Sequence, residues 1–182
     1  MAEPLARRSA LAHFAPGQTR AEGHDIVERP LPAIAWVQGA GAPDLPAEPN
    51  TLRRDGATLA LWWAPGQWLV LGGDEAALVA RYQAAGLWAC GVGDGFVRLD
   101  IGGADPAELL AHGCPLDLRL AAFGPQRTAR SLLARLPVTL WREDQDFSLL
   151  VEATHAEALW RWLMRTAQCL PDRAIPIPTA GP

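Results

Sequence analysis

Three side chains of the kinds used in catalysis and metal binding, His112, Cys114 and Asp117, fall within the seven residues HGCPLDL. A thiolate beside an imidazole would make a nucleophile and its base, and the same groups with a carboxylate would make part of a transition-metal site. Each chemistry needs more than this stretch holds. A metal site needs three or four convergent ligands, and the sequence has no second His/Cys cluster. A catalytic pair needs a base within hydrogen-bond reach of the nucleophile, and spacing alone does not bring His24 or His155 to Cys114. A structural account explains every residue instead. In GADPAELLAHGCPLDL, Asp105 stands at an N-cap, Pro106 at the first helical position and Glu108 three residues after the cap. His112 then sits in the last turn, where an imidazole favours the helix dipole. Gly113 supplies a left-handed residue, and Cys114-Pro115 leads into an extended segment. The pattern predicts a corner in the chain.

Other candidates dissolve in the same way. GVGDG at 91–95 lacks the third glycine of a dinucleotide cradle and follows only a short strand, so it reads as a turn. His155 lies in THAE, where Thr154 and Glu157 form a second capping box at the start of a helix. Cys90, Cys114 and Cys169 show no CxxC spacing and cannot all pair, which predicts reduced, mostly buried thiols. All sixteen basic residues are arginine. A Schiff-base lysine, a phosphate-loop lysine and a lysine general base are therefore excluded within this sequence. No catalytic, cofactor-binding or metal-ligating residue is assigned.

The elements that must position these residues follow from pattern. With 182 residues, 49% of them apolar, the chain has material for a sizeable core. A formal charge of −4 without basic runs argues against nucleic acid. No stretch of about 18 uncharged apolar residues predicts a membrane span, and the N-terminus lacks a signal-peptide pattern, so the cytoplasm is expected. Residues 1–32, punctuated by prolines at 4, 16, 30 and 32, read as an arm. AIAWV is the first strand, and 39–50 is a Pro/Gly loop. TLALWW, APGQ and WLVLGG form a hairpin, followed by a helix in DEAALVARYQAAG with Leu78, Tyr82 and Ala85 at helical spacing and Gly86 as its stop. VTLWR, EDQD and FSLLVE followed by a helix repeat that order. Trp62 and Trp141, like Trp68 and Phe147, are 79 residues apart. LWAC, FVRLDIGG and TARSLLA supply further strands. The expected class is α+β: antiparallel sheets with helices on one face and internally duplicated hairpin–helix units. The expected lobes are 33–90 and 91–170, with a proline-rich tail at 171–182.

Eight tryptophans mark the chain. In a strand, Trp62 and Trp63 point to opposite faces, and on a helix Trp160 and Trp162 lie about 200° apart. One core cannot take both members of either pair. Either the outward rings form a subunit interface, for which Trp62, Trp63, Trp160 and Trp162 are the candidates, or two packed lobes bury both faces internally.

The run from FVRLDIGG through GCPLDL, FGP, TARSLL and WREDQDFSLLV to the last helix, with PGQWLVLG upstream and RSALAHF near the N-terminus, resembles the gamma subunit of heterotetrameric sarcosine oxidase. The resemblance covers most of residues 8–167. It implies a fold like half of the aminomethyltransferase (glycine-cleavage T-protein) folate domain, itself built from duplicated units. It further implies a complex that demethylates sarcosine to glycine, makes hydrogen peroxide and passes the one-carbon unit to tetrahydrofolate. FAD and FMN are then expected on or beside the beta subunit, NAD and folate on alpha, and zinc on delta, with no catalytic residue in gamma. Two alternatives stand beside it. One is a free-standing folate-binding one-carbon transfer protein of the same fold, for which Asp100 at the end of FVRLD is a conceivable acid. The other is the scaffold subunit of a related N-methyl amine oxidase.

Overall fold

The computed structural model describes residues 9–14, 18–21 and 23–170, so the proline-rich tail lies outside the described residues. The strands are β1 (Gln18–Ala21), β2 (His24–Arg29), β3 (Ile34–Gln38), β4 (Leu52–Asp55), β5 (Thr58–Ala64), β6 (Gln67–Leu71), β7 (Trp88–Gly91), β8 (Phe96–Gly103), β9 (Thr128–Leu133), β10 (Leu136–Glu143) and β11 (Asp146–Glu152). The helices are α1 (Glu75–Ala84), α2 (Pro106–Ala111) and α3 (Ala156–Cys169). The strands form two antiparallel sheets, one in the order β1-β2-β8-β11-β10-β9 and the other in the order β4-β5-β6-β3-β7.

Alternation along the strands explains the layering. Ala60, Trp68 and Val70 face Leu78 and Tyr82 of α1, while Leu59, Leu61, Leu69 and Leu71 on the opposite face meet Trp141 and Leu150 of the other sheet. In that second sheet Leu140, Phe147 and Leu149 face outward to Leu109 of α2 and to Leu159 and Leu163 of α3. The order of layers is α1, five-stranded sheet, six-stranded sheet, α2 with α3. Each sheet carries helices on one face only, as the pattern predicts. Trp141 is fully buried between the sheets, and a side chain of this kind contributes about 2–3 kcal/mol through burial.

Two expectations change. Residues 18–29, read as part of an arm, form β1 and β2 and complete the six-stranded sheet, with Val27 opposite Asp100 and Ile26 opposite Ile101. Gly23, at φ 83°, makes the tight turn between them. Leu11 also enters the core. Two strands this short, set among prolines, leave little pattern in the sequence. The duplication is present but slips by one residue. Trp68 and Phe147 are equivalent, both facing helices, yet Trp62 lies opposite Trp68 whereas Arg142 lies opposite Phe147. A β-bulge between Trp62 and Ala64 absorbs the extra residue. The structural counterpart of Trp62 is therefore Arg142, and that of Trp141 is Leu61.

Helix starts separate in the same manner. Asp105 caps α2 by accepting from the Glu108 amide at 3.0 Å, and Asp74 caps α1 by accepting from Ala77 at 2.9 Å. The expected Thr154–Glu157 capping box does not form. The chain leaving β11 makes a turn through Ala153, whose amide donates to Gly95 at 2.8 Å, and α3 starts at Ala156 behind His155 with no side-chain cap. Glu157 instead pairs with Arg161 at 2.6 Å, four residues along the helix.

Candidate functional site

The HGCPLDL stretch is a packed corner. His112 is exposed, and its Nδ1 donates to the Glu108 carbonyl at 2.9 Å, since a carbonyl oxygen can only accept. Cys114 is buried in the helix-covered core, its amide donating to Leu110 at 2.9 Å. No hydrogen bond joins its thiol to a histidine among the described residues. Asp117 accepts from the amide of Arg119 at 3.1 Å and from its Nε at 2.8 Å. Those bonds hold the Asp117 carboxyl down at about 2. The three groups thus have separate occupations, and among the described residues no cluster of three or more His, Cys, Asp or Glu could hold a metal ion.

Gly113 departs from its expected role. It is not left-handed. Its missing side chain is needed for space, because a Cβ there would lie 2.6 Å from Cζ2 of Trp162 and 2.9 Å from the Ala134 nitrogen. The Gly113 carbonyl accepts from Ala134 at 3.0 Å, tying the corner to the β9–β10 turn.

The remainder of the corner, Leu118 to Phe123, is pinned by Arg142. This guanidinium is buried, with Nε donating to the Phe123 carbonyl at 2.6 Å and Nη2 donating to the Leu118 carbonyl. Burial without a carboxylate partner pushes its pKa down. The sequence offered a trace of this role in the Arg after Trp141, where alternation sends the side chain to the helix-covered face opposite that ring.

The tryptophan pairs are largely covered by the chain itself, the second of the two alternatives left open by the sequence, in which packed layers bury both faces. Trp160 is only 5% exposed and sits within the core. Trp162 is half-buried against that same core. Both flanks of α3 are covered, one by Phe14 of the 9–14 segment, which borders a cavity with Trp160, and the other by the Gly113 corner. Trp62 is half-buried against the α1 layer and lines a cavity beneath the 39–49 loop, where Trp68 Nε1 donates to the Pro46 carbonyl at 2.9 Å. Trp63 is half-buried on the other face, against the core between the sheets. The exposed ring is Trp88, on the short edge strand β7, at 51%.

Asp100, the conceivable ligand acid, is already engaged. Oδ1 accepts from Arg98 Nε at 3.0 Å and Ser148 Oγ at 2.7 Å, and Oδ2 accepts from Arg29 Nε at 2.9 Å. Arg98 also stacks over Trp141, 5.4 Å from the ring centroid. Both carboxylate oxygens are therefore spoken for by side chains of three strands. GVGDG contains a single 3-10 turn, Gly93–Gly95, joining β7 to β8 across the two sheets.

Two antiparallel sheets packed face to face, with hairpin–helix units repeated in each, give a fold similar to that of the aminomethyltransferases. Aminomethyltransferase T of the glycine cleavage system from Bartonella henselae superposes on 72% of this chain, using 43% of its own length, with a TM-score of 0.52 at 15% identity. A chain of the heterotetrameric sarcosine oxidase from Corynebacterium sp. U-96, in complex with pyrrole 2-carboxylate, superposes on 88% of this chain and 94% of its own, with a TM-score of 0.78 at 24% identity. Residues 28–168 match the sarcosine oxidase, gamma subunit family, and the chain belongs to that family. Sarcosine oxidase subunit gamma of Corynebacterium sp. strain U-96 is 31% identical over 142 residues, 72% of this chain. The chain spans 66% of the length of that relative, just under two thirds.

Proposed function

We propose that this chain is the non-catalytic structural subunit of a heterotetrameric sarcosine oxidase, assembled with alpha, beta and delta subunits. The observation that carries the reading is the family match over residues 28–168, which includes the corner, β9 and the β10–β11 hairpin. Supporting it, the side chains with the right chemistry to catalyse are already committed to the fold: His112 and Asp117 by hydrogen bonds, Cys114 by burial. The complex oxidatively demethylates sarcosine to glycine with formation of hydrogen peroxide and transfer of the one-carbon unit to tetrahydrofolate. FAD, FMN, NAD, folate and zinc belong to the partner subunits, and this chain contributes surface and rigidity. The described residues contain no helix long and apolar enough to cross a membrane, and we place the complex in the cytoplasm.

Co-expression with the three partner subunits tests this. The chain is expected to purify in one complex that makes peroxide from sarcosine, and to carry no flavin when isolated. Micromolar binding of tetrahydrofolate by the isolated chain, with no association with the oxidase subunits, would replace this reading by the free-standing folate-binding one. Asp100 would then have to release Arg29 or Arg98 to hold the ligand.

A further inference from the structure

Trp88 of β7 meets Trp36 edge to face with 5.3 Å between ring centroids, and Trp36 meets Trp63 in the same way at 5.5 Å. Arg130, on the edge strand β9 of the other sheet, holds its guanidinium carbon 4.3 Å from the Trp63 ring centroid. Leu132 follows two residues along β9 and so faces the same way as Arg130. One strip therefore runs from the edge of one sheet to the edge of the other. Its ends are exposed, Trp88 at 51% and Leu132 at 48%.

The β9 backbone is open beside this strip. Ala134 and Arg135, at φ 52° and 68°, make a two-residue hairpin turn, so Leu133 and Leu136 exchange hydrogen bonds across it. Alternation then turns the N–H and C=O of Thr128, Arg130 and Leu132 away from β10. The Thr128 amide confirms the phase by donating to Asn50 at 3.1 Å. Arg130 and Leu132 have no such neighbour among the described residues. Arg29, Arg54, Arg81, Arg98, Arg119 and Arg161 each hold a carboxylate. Arg130, like Arg53, Arg127, Arg135, Arg142 and Arg165, has none among the described residues, and it is set apart from those five by the exposed-edge position on β9 and by the Trp63 indole that orients it.

We infer that β9 and the Trp63–Trp36–Trp88 strip receive an extended acidic segment of a partner chain. An open sheet edge takes an extended backbone, and a stacked guanidinium presents its planar fork to a carboxylate. Apolar side chains of the segment cover Leu132 and Trp88. A second copy of this chain fits less well, since two-fold pairing of β9 with itself places two Arg130 guanidinium groups on one face and brings no carboxylate. The inference rests on the subunit reading above.

The test uses the assembled complex. Amide exchange at Arg130 and Leu132 is expected to slow at least tenfold on assembly. Arg130→Glu and Leu132→Asp are each expected to raise at least tenfold the concentration at which the chain dissociates from the complex. Leu120→Asp, at another exposed leucine, is the control and is expected to leave assembly unchanged. Should the β9 variants fail to fold, exchange in the unaltered complex decides alone. Equal exchange at β9 in free and assembled chain overturns the inference while leaving the subunit reading intact. A homodimer of the isolated chain that Arg130→Glu disrupts assigns the edge to a second copy and overturns it too. Failure of the unaltered chain to enter any complex removes both.

Discussion

Arg142 lies directly opposite Phe147 across the β10–β11 ladder, with its guanidinium carbon 4.4 Å from the ring centroid. The charge is held by this ring and by main-chain carbonyls of the 118–123 segment. Removing the side chain leaves buried carbonyls of Leu118 and Phe123 without donors, and such losses cost about 3 kcal/mol when a charged hydrogen-bonding group is involved. Arg142→Met is expected to lower stability by about that amount in urea titration followed by tryptophan fluorescence. Arg142→Lys is expected to recover less than half, because an ammonium cannot span two carbonyls as a fork does.

That position also shows how far the sequence could be read. The hairpin–helix units were legible because β-forming runs flank a turn in each, TLALWW and WLVLGG around APGQ and VTLWR and FSLLVE around EDQD, and α1 was legible from Asp74, Leu78, Tyr82 and Gly86. The one-residue slip that makes Arg142 the structural counterpart of Trp62 was not, because a bulge leaves no mark in apolar periodicity. The tryptophan argument identified opposed faces correctly but could not see that Phe14 and the Gly113 corner cover both sides of α3. The exposed strip of Trp88 and Arg130 was not legible because β7 has only four residues, too few to fix a buried face, and because an arginine on a strand does not reveal from its type that an indole of another sheet lies beneath it.

Gly113 and Trp162 define the tightest contact of the corner. Gly113→Ala places a methyl carbon at 2.6 Å from Cζ2 of Trp162 and 2.9 Å from the Ala134 nitrogen. The indole can shift, but the backbone of the β9–β10 turn has less room, so overpacking is expected to cost about 1–3 kcal/mol. Thermal melting of this variant, compared with the unaltered chain, checks the loss. An unchanged midpoint would show that the corner yields freely.

The two helix starts give a paired comparison. Asp105→Ala removes an acceptor that satisfies the Glu108 amide and is expected to destabilise by about 1 kcal/mol. Thr154→Ala, at the sequence-like but unformed cap, is expected to change stability by less than about 0.5 kcal/mol. Equal losses in urea titration would mean that Thr154 does cap α3.

Asp146 provides the pH dependence. Desolvation raises its pKa, and the neighbouring carboxylates of Asp100, Asp25 and Asp144 raise it further. An acid with a raised pKa in the folded state binds more protons there than when unfolded, so its contribution to stability falls as pH rises through the interval between the two values. Asp146→Asn is therefore expected to stabilise the chain at neutral pH. The side chain is exposed, so solvent screening keeps the gain below about 1 kcal/mol. The gain should shrink as pH falls through the folded-state pKa and vanish below the ordinary aspartate range, where the carboxyl is protonated in both states. Urea titrations of the variant and the unaltered chain across that range measure the difference directly, and a gain that grows toward acid pH would contradict the sign.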